Sequence, residues 1–161
     1  MMLSELTISN ISSLEDVTKS ENILSWKWQK KTPDEFKARF TVQSNDHVDV
    51  VFTRRDTEEN DWELEFTRTS PFNKQQTVVA TAGGHAFEIL ATVFHIILHF
   101  VKDVKPDSVM IWSLERRKND PRTKLYDKMF NSLPEKFGYK LDARTDVGGS
   151  VVWIIKRIQA D

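Results

Sequence analysis

The chain has 161 residues, 39% of them hydrophobic, and its ten Phe and five Trp allow one domain to bury a core without metal or disulfide. Its 23 Lys and Arg nearly balance 24 Asp and Glu, which excludes binding to nucleic acid or an anionic membrane through net positive charge. Cysteine is absent, which excludes disulfides and a cysteine nucleophile and fits an intracellular setting. Residues 1–13 lack a basic stretch followed by an apolar core, so no secretory signal is expected.

The first residues differ in pattern from the rest, which predicts an N-terminal arm or accessory segment over 1–32 and a main domain over 33–161. Trp26 and Trp28 alternate with polar residues and therefore share one face of an extended segment. Two interpretations stay open for this pair. The indoles either pack on the core or form a docking surface for a partner.

From 36 to 70 the hydrophobic period is two, which predicts three antiparallel strands. The apolar faces of these strands are Phe36, Ala38 and Phe40, then Val48, Val50 and Phe52, then Trp62, Leu64 and Phe66. Residues 44–46 predict a turn and 54–61 a solvated loop. Glu63 and Glu65 stand two apart on the outward face, where a solvated surface is favoured over acid–base work.

A fourth strand, Thr77–Ala80, runs into the glycine turn Thr81–Ala86, and a long apolar helix from His85 to Lys102 follows. Backbone N–H groups in such a turn can converge on a phosphate, although two adjacent glycines before a helix, taken alone, favour an ordinary tight turn. His95 and His99 share a helix face at a spacing used for zinc. Without an HExxH pattern or cysteine, we favour satisfied histidines and predict no metal.

The remaining pattern predicts a buried strand over 108–114, a charged loop, a second helix and a closing pair of strands. Pro121 suits the first turn of that helix, and Leu125, Met129 and Leu133 recur every four residues. The last two extended segments, 139–142 and 151–158, flank a predicted turn at 146–149. The predicted order is β-β-β-β-α-β-α-β.

The segment from Asn119 to Lys128, followed by Phe137-Gly138-Tyr139, resembles the N-x-P-A-x-x-L-Y-x-K...G-F signature of the GNAT superfamily of N-acetyltransferases. The element order agrees with that superfamily as well. The resemblance covers roughly 36–158 and implies an α+β fold. Its expected form is a single mixed, mostly antiparallel sheet with a central long helix and a second, C-terminal helix.

In that superfamily a Q/R-x-x-G-x-G/A loop holds the pyrophosphate of acetyl-CoA on backbone amides. Gly84 and Ala86 match the G and A positions, whereas Thr81 stands where Gln or Arg is expected. The resemblance therefore implies that acetyl-CoA or CoA binds at one set of residues. That set is Thr81, Ala82, Gly83, Gly84, His85, Ala86 and Asn119.

The resemblance also implies roles in acyl transfer, which needs a base for the amine and a proton for the leaving thiolate. Tyr126, from the L-Y-x-K motif, would donate that proton, although it could equally pack against the sheet. The fourth strand carries no Asp or Glu. Glu115 is therefore the candidate base, with Glu65 acting through a water as the other choice.

A second and more specific resemblance is to small proteins of tailed bacteriophages, described as acetyltransferase-like or virion-associated. It rests on Gly83–Val93, Leu125-Tyr126 and Gly138-Tyr139. It implies a location in the cytoplasm of the infected bacterial host or in the virion, without a membrane anchor.

The departure at Thr81 leaves two functions open. One is transfer of an acyl group from acetyl-CoA to an amine. The other is a catalytically inactive fold that serves as a virion component or as a binder and inhibitor of a host protein. In that second case Trp26, Trp28 and the loop Arg116–Lys118 are the expected contacts, although the loop could also meet a CoA 3′-phosphate or simply be solvated.

Overall fold

The fold consists of one sheet and a long helix packed across one of its faces. The computed structural model describes residues 23–42, 45–55, 59–69, 76–78, 86–113, 127–131, 137–147 and 150–158. The elements in chain order are β1 Trp26–Lys31, β2 Glu35–Thr41, β3 His47–Arg54, β4 Asp61–Thr69, β5 Gln76–Val78, α1 Ala86–Val104, β6 Ser108–Ser113, helical residues 127–131 (α2), β7 Tyr139–Val147 and β8 Ser150–Arg157.

The strands form an eight-stranded sheet in the order β1-β2-β3-β4-β6-β8-β7, with β5 paired to β4 off this path. Every pairing is antiparallel except β4 with β6, which is parallel and is connected through α1. A parallel neighbour requires such a crossover, because the chain must return to the starting end of the sheet. The predicted α+β class, a mixed and mostly antiparallel sheet with a long helix, is confirmed.

The alternating apolar residues of the central strands all point toward α1. On β2, β3 and β4 the buried side chains are Ala38, Phe40, Val48, Val50, Phe52, Trp62, Leu64 and Phe66. The cross-strand register aligns them, with Phe52 opposite Leu64 and Leu64 opposite Ile111 of β6. The period-two pattern read from the sequence therefore gives the core face correctly.

The helix α1 supplies the other half of the core and meets it through aromatic rings. Phe100 stacks on Phe52 at 3.9 Å between ring centroids and meets Phe36 and Trp62 edge-on at 5.4 and 5.0 Å. Among the described residues no helix is both long and apolar enough to span a membrane.

The segment α2 packs on the same side of the sheet as α1. Phe130 lies 5.1 Å from Phe94 and 5.3 Å from Trp153, measured between ring centroids. Asp127 accepts hydrogen bonds from Trp153 Nε1 and Arg144 Nε, both at 2.7 Å. The second helix that the sequence predicts is therefore attached to β7 and β8 as well as to α1.

Two details differ from the sequence-based expectation. Residues 26–31, part of the predicted N-terminal segment, form the edge strand β1 and pair with β2, because Trp26 and Trp28 pack on α1 and Phe36. The turn predicted at 146–149 is wrong in its first two residues, because Asp146 and Val147 continue β7 opposite Val151 and Ser150. The other two residues, Gly148 and Gly149, lie outside the described part of the chain.

Candidate ligand crevice

The parallel strands β4 and β6 pair only near their starts. Their register runs from Asp61 opposite Ser108 to Leu64 opposite Ile111, and there the pairing ends although both strands continue. Further along, β4 pairs instead with β5 through Thr67–Thr69. On that side Glu65 and Phe66 have no strand partner among the described residues. Among the described residues no strand pairing therefore joins the carboxyl ends of β4 and β6, and we call this gap in the pairing the crevice.

Helix α1 begins at the same end of the sheet as the crevice. Its first residue is Ala86, and the crossover from β4 to β6 requires the helix to start where β4 finishes. The first N–H groups of a helix have no partner within the helix and carry the positive end of its dipole. Ligands of α/β units commonly occupy such a crevice beyond the carboxyl ends of parallel strands.

Two buried polar atoms at this end of the fold lack a hydrogen-bond partner among the described residues. They are Oε2 of Glu88, in the first turn of α1, and Nε1 of Trp112, near the end of β6. Buried polar groups in proteins are nearly always paired, so unpaired ones call for a physical explanation. Glu88 belongs to α1, whereas Trp112 alternates with the core residue Ile111, so each is a separate candidate contact for a polar ligand.

The surroundings of Glu88 are well defined on its backbone side. Its carbonyl accepts a hydrogen bond from Thr92 Oγ1 at 2.7 Å, and the same hydroxyl oxygen accepts the N–H of Leu24 at 2.9 Å. Thr92 is fully buried. The first two turns of α1 are thereby fixed to the chain segment before β1, which holds Glu88 in place.

Most of the sequence-predicted site residues fall outside the described part of the chain. Thr81, Ala82, Gly83, Gly84 and His85 precede α1, and Glu115, Asn119 and Tyr126 lie between β6 and α2, as does the loop Arg116–Lys118. Ala86 is described and is the first residue of α1. Both undescribed segments join elements that meet at the crevice, so their assignment to a ligand site stays a prediction.

Sequence reasoning missed Glu88 and Trp112. Glu88 carried a usable signal, because an acidic residue in the first turn of a helix that follows glycines complements the dipole and can cap the helix. Trp112 carried none, since an indole inside an apolar strand is expected in a core. Glu65, the alternative base, is exposed, as predicted for the outward face of β4.

The histidine pair on α1 belongs to an aromatic cluster rather than to this crevice. The Trp26 ring lies 6.0 Å from His95 and 5.3 Å from His99, and the two imidazoles are 4.6 Å apart. Burial, and then the neighbouring His99, lower the pKa of His95 below its ordinary value. In the described part of the chain no three His, Asp or Glu side chains come together as a metal site.

No protein-family profile matches the chain, and no curated protein matches it in sequence. Among solved structures, it is similar to a protein assigned to the GNAT family of acetyltransferases from Desulfovibrio desulfuricans. That likeness has a TM-score of 0.42 and 11% identity and covers 76% of this chain and 69% of the other. It is also similar to the aminoglycoside 6'-N-acetyltransferase from Enterococcus faecium. Here the TM-score is 0.38 and the identity 13%, over 81% of this chain and 76% of the other.

Proposed function

We propose that this protein binds an acyl-CoA in the crevice between β4 and β6 and transfers the acyl group to an amine. The observation that carries the proposal is the separation of the parallel strands beyond Leu64 and Ile111, at the end where α1 begins. This arrangement offers a slot for an extended ligand beside the positive end of a helix. A phosphate-bearing chain matches both features.

The residues at the crevice fit such a ligand chemically. The backbone amides leading into Ala86 would hold the diphosphate, and Trp112 Nε1 is a buried donor for an amide or thioester carbonyl. Acyl-CoA, when bound, supplies the acyl group as a thioester. Glu115 would accept a proton from the acceptor amine and Tyr126 would donate one to the leaving thiolate, as the motif resemblance implies.

Calorimetric titration of the protein with CoA and with acetyl-CoA tests the proposal. We expect saturable binding of both ligands, and we expect Gly84→Leu to abolish it, because a bulky side chain would block close approach of the backbone to the diphosphate. Trp112→Phe should weaken binding about tenfold, the effect of one lost hydrogen bond to a buried group. Trp26→Phe, which changes an indole far from the crevice, is the matched control.

A flat titration at millimolar ligand, with the protein folded, would overturn the acyl-CoA proposal. The alternative to test next is a catalytically inactive protein that serves as a virion component or as an inhibitor of a host protein. The departure from the motif at Thr81 favours this alternative. Its expected signature is co-purification with a capsid, tail or host component of the infected bacterium. The phage setting itself stays a prediction from sequence resemblance.

A further inference from the structure

The end of the molecule opposite the crevice carries two adjoining cavities. At this end β3 and β8 finish, β4 and β6 begin, and α1 terminates. The larger cavity, of about 1040 Å³, is lined mainly by charged side chains, and the smaller one, of about 330 Å³, mainly by apolar ones. Arg157 and Ile158 line both, so the two cavities adjoin at the end of β8, and we call them together the groove.

The smaller cavity is an apolar slot in the surface. Val101 of α1 and Tyr139 of β7 are buried beside it, whereas Phe137 and Ile158 expose 40% and 48% of their surface. The Tyr139 hydroxyl donates a 2.7 Å hydrogen bond to the Pro106 carbonyl, which fixes the ring. Large apolar side chains left this exposed in a polar setting indicate a site of contact.

The acidic side chains around the groove are already engaged. Asp107 pairs with Arg157 at 2.6 Å, Asp142 pairs with Lys156 at 3.3 Å, and Asp61 accepts a hydrogen bond from Ser108 Oγ at 2.6 Å. Five lining cations have no carboxylate partner in the ranges that the structure describes. They are Arg54, Arg55, Lys102, Lys105 and Lys140, and of these Arg54 donates a hydrogen bond to the Glu59 carbonyl at 3.0 Å. The lining of the two cavities therefore carries more cationic than acidic side chains, seven against four.

Lys105 is held in a conformation that a lysine rarely adopts. It follows the last residue of α1 with φ of 53°, in the left-handed region where glycine is usual. Its carbonyl accepts hydrogen bonds from Asn60 Nδ2 at 3.0 Å and Arg157 at 3.3 Å, and its N–H donates a hydrogen bond to the Val101 carbonyl. Helix capping alone would favour glycine here. The lysine instead adds a cation to the lining of the slot.

We infer that this groove is a docking site for an acidic polypeptide segment that carries a large apolar side chain. The apolar slot would receive that side chain, and the cations around it would meet the flanking carboxylates. A nucleic-acid strand fits less well. Its charge repeats at every nucleotide, whereas the groove places its cations beside an apolar slot lined by Phe137 and Ile158. The inference is independent of the proposed acyl transfer, which uses the other end of the sheet.

Fluorescence anisotropy with synthetic probes tests the inference on the full chain. The main probe is a labelled peptide of about 15 residues, rich in Asp and Glu around a central Leu-Phe pair. The comparison probes replace Leu-Phe by Ser-Ser, replace the acids by Lys, or are an oligothymidine of similar length. We expect only the first peptide to bind well, and we expect its affinity to fall about tenfold between about 50 mM and about 300 mM salt.

Two substitutions separate binding from folding. Lys105→Gly removes one cation and relieves the left-handed strain, so the protein should be at least as stable while the peptide binds about fivefold more weakly. Phe137→Ser should also weaken binding, because it removes one wall of the slot. Lys27→Ala, an equal loss of charge at an exposed position of the distant strand β1, should leave affinity unchanged.

Four results would each overturn the inference. They are equal binding of the Ser-Ser peptide, preferential binding of the oligothymidine, absence of binding by every probe, and an affinity that Lys105→Gly and Phe137→Ser leave unchanged. CoA titration of the same variants should be unaffected. The peptide-binding measurement therefore tests the docking site, and the CoA titration separately tests the proposed acyl transfer.

Discussion

The two faces of the sheet are built from the same strands and use opposite chemistry. On the α1 side, Phe52, Trp62 and Phe100 exclude water and pack ring against ring. On the other side, Arg39 of β2 lies directly opposite Asp49 of β3 and binds both of its carboxylate oxygens, at 2.7 and 3.2 Å. The hydrogen bond to Asp49 raises the pKa of Arg39.

The difference shows where stability and specificity of register come from. An aromatic face gains free energy in proportion to the apolar area that it buries, and it tolerates some rearrangement. A two-point ion pair across neighbouring strands requires one alignment only, because a one-residue slip would turn Arg39 and Asp49 to opposite faces. The helix face therefore sets the depth of the free-energy minimum, and the polar face helps to select the register.

Phe100→Ala should have the largest effect on stability. It removes the ring that contacts Phe36, Phe52 and Trp62, and leaves a cavity that these side chains fill only in part. We expect a loss of about 3 to 5 kcal/mol in the free energy of unfolding, measured by urea denaturation. A loss below about 1 kcal/mol would contradict the view that this face carries most of the stability.

Asp49→Ala should come next. Asp49 is only 5% exposed, and its removal leaves Arg39 without its partner, although the guanidinium can still reach water. We expect a loss of about 1 to 2 kcal/mol by the same measurement. Glu65→Ala is the control, because Glu65 of β4 lies on the same face of the sheet as Asp49 but is exposed. Its cost in the free energy of unfolding should stay within about 0.5 kcal/mol. Equal costs at the two positions would mean that the ion pair has no special role.

Lys105→Gly should increase the free energy of unfolding. Glycine adopts the left-handed conformation at the end of α1 without the crowding that a β-carbon causes. We expect a gain of up to about 1 kcal/mol, seen as a higher denaturation midpoint. A clear loss of stability would show that the lysine side chain, and not only its backbone, supports the helix end.

Acidification should weaken the protein through His95, at the edge of the aromatic face. Its pKa is lower in the folded protein than the ordinary 6.5, so the unfolded chain binds a proton more readily. The contribution of neutral His95 to the free energy of unfolding is therefore fully present above pH 6.5. It is lost as the pH falls from there toward the lowered pKa of the folded protein. Urea denaturation at about pH 7.5 and about pH 5.5 measures the loss, and His95→Gln should reduce it. An identical pH dependence in His95→Gln would assign the effect to other groups.

Much of the fold could be predicted from the sequence because its signals are local. The alternation of Phe36 to Phe66 identifies the core face of three strands, and the apolar run that follows the glycines identifies α1 within two residues at each end. The sequence leaves core packing of Trp26 and Trp28 as one of two interpretations, because alternation alone does not reveal that Trp26 packs on α1 and Trp28 on Phe36 and Phe52.

The candidate site could be predicted only as a location. Thr81–Ala86 and Tyr126 are predictions from motifs, and of these residues only Ala86 is described, whereas the gap between β4 and β6 depends on where two strands stop pairing, which no local pattern encodes. The same holds for Glu88 and Trp112, which become candidates because their buried polar atoms have no partner among the described residues.

The sequence by itself determined the buried face of the central strands, the place of the long helix and the nearly neutral overall charge, since these follow from side-chain spacing and composition, whereas the structure has two strands more than the predicted order β-β-β-β-α-β-α-β. Tertiary structure alone decided that β4 and β6 are parallel neighbours with the crevice beyond them. It alone also gathered Arg55, Lys105 and Lys140, from three distant parts of the chain, around one groove. Such features depend on contacts between residues far apart in sequence, and a balanced net charge conceals a local concentration of one sign.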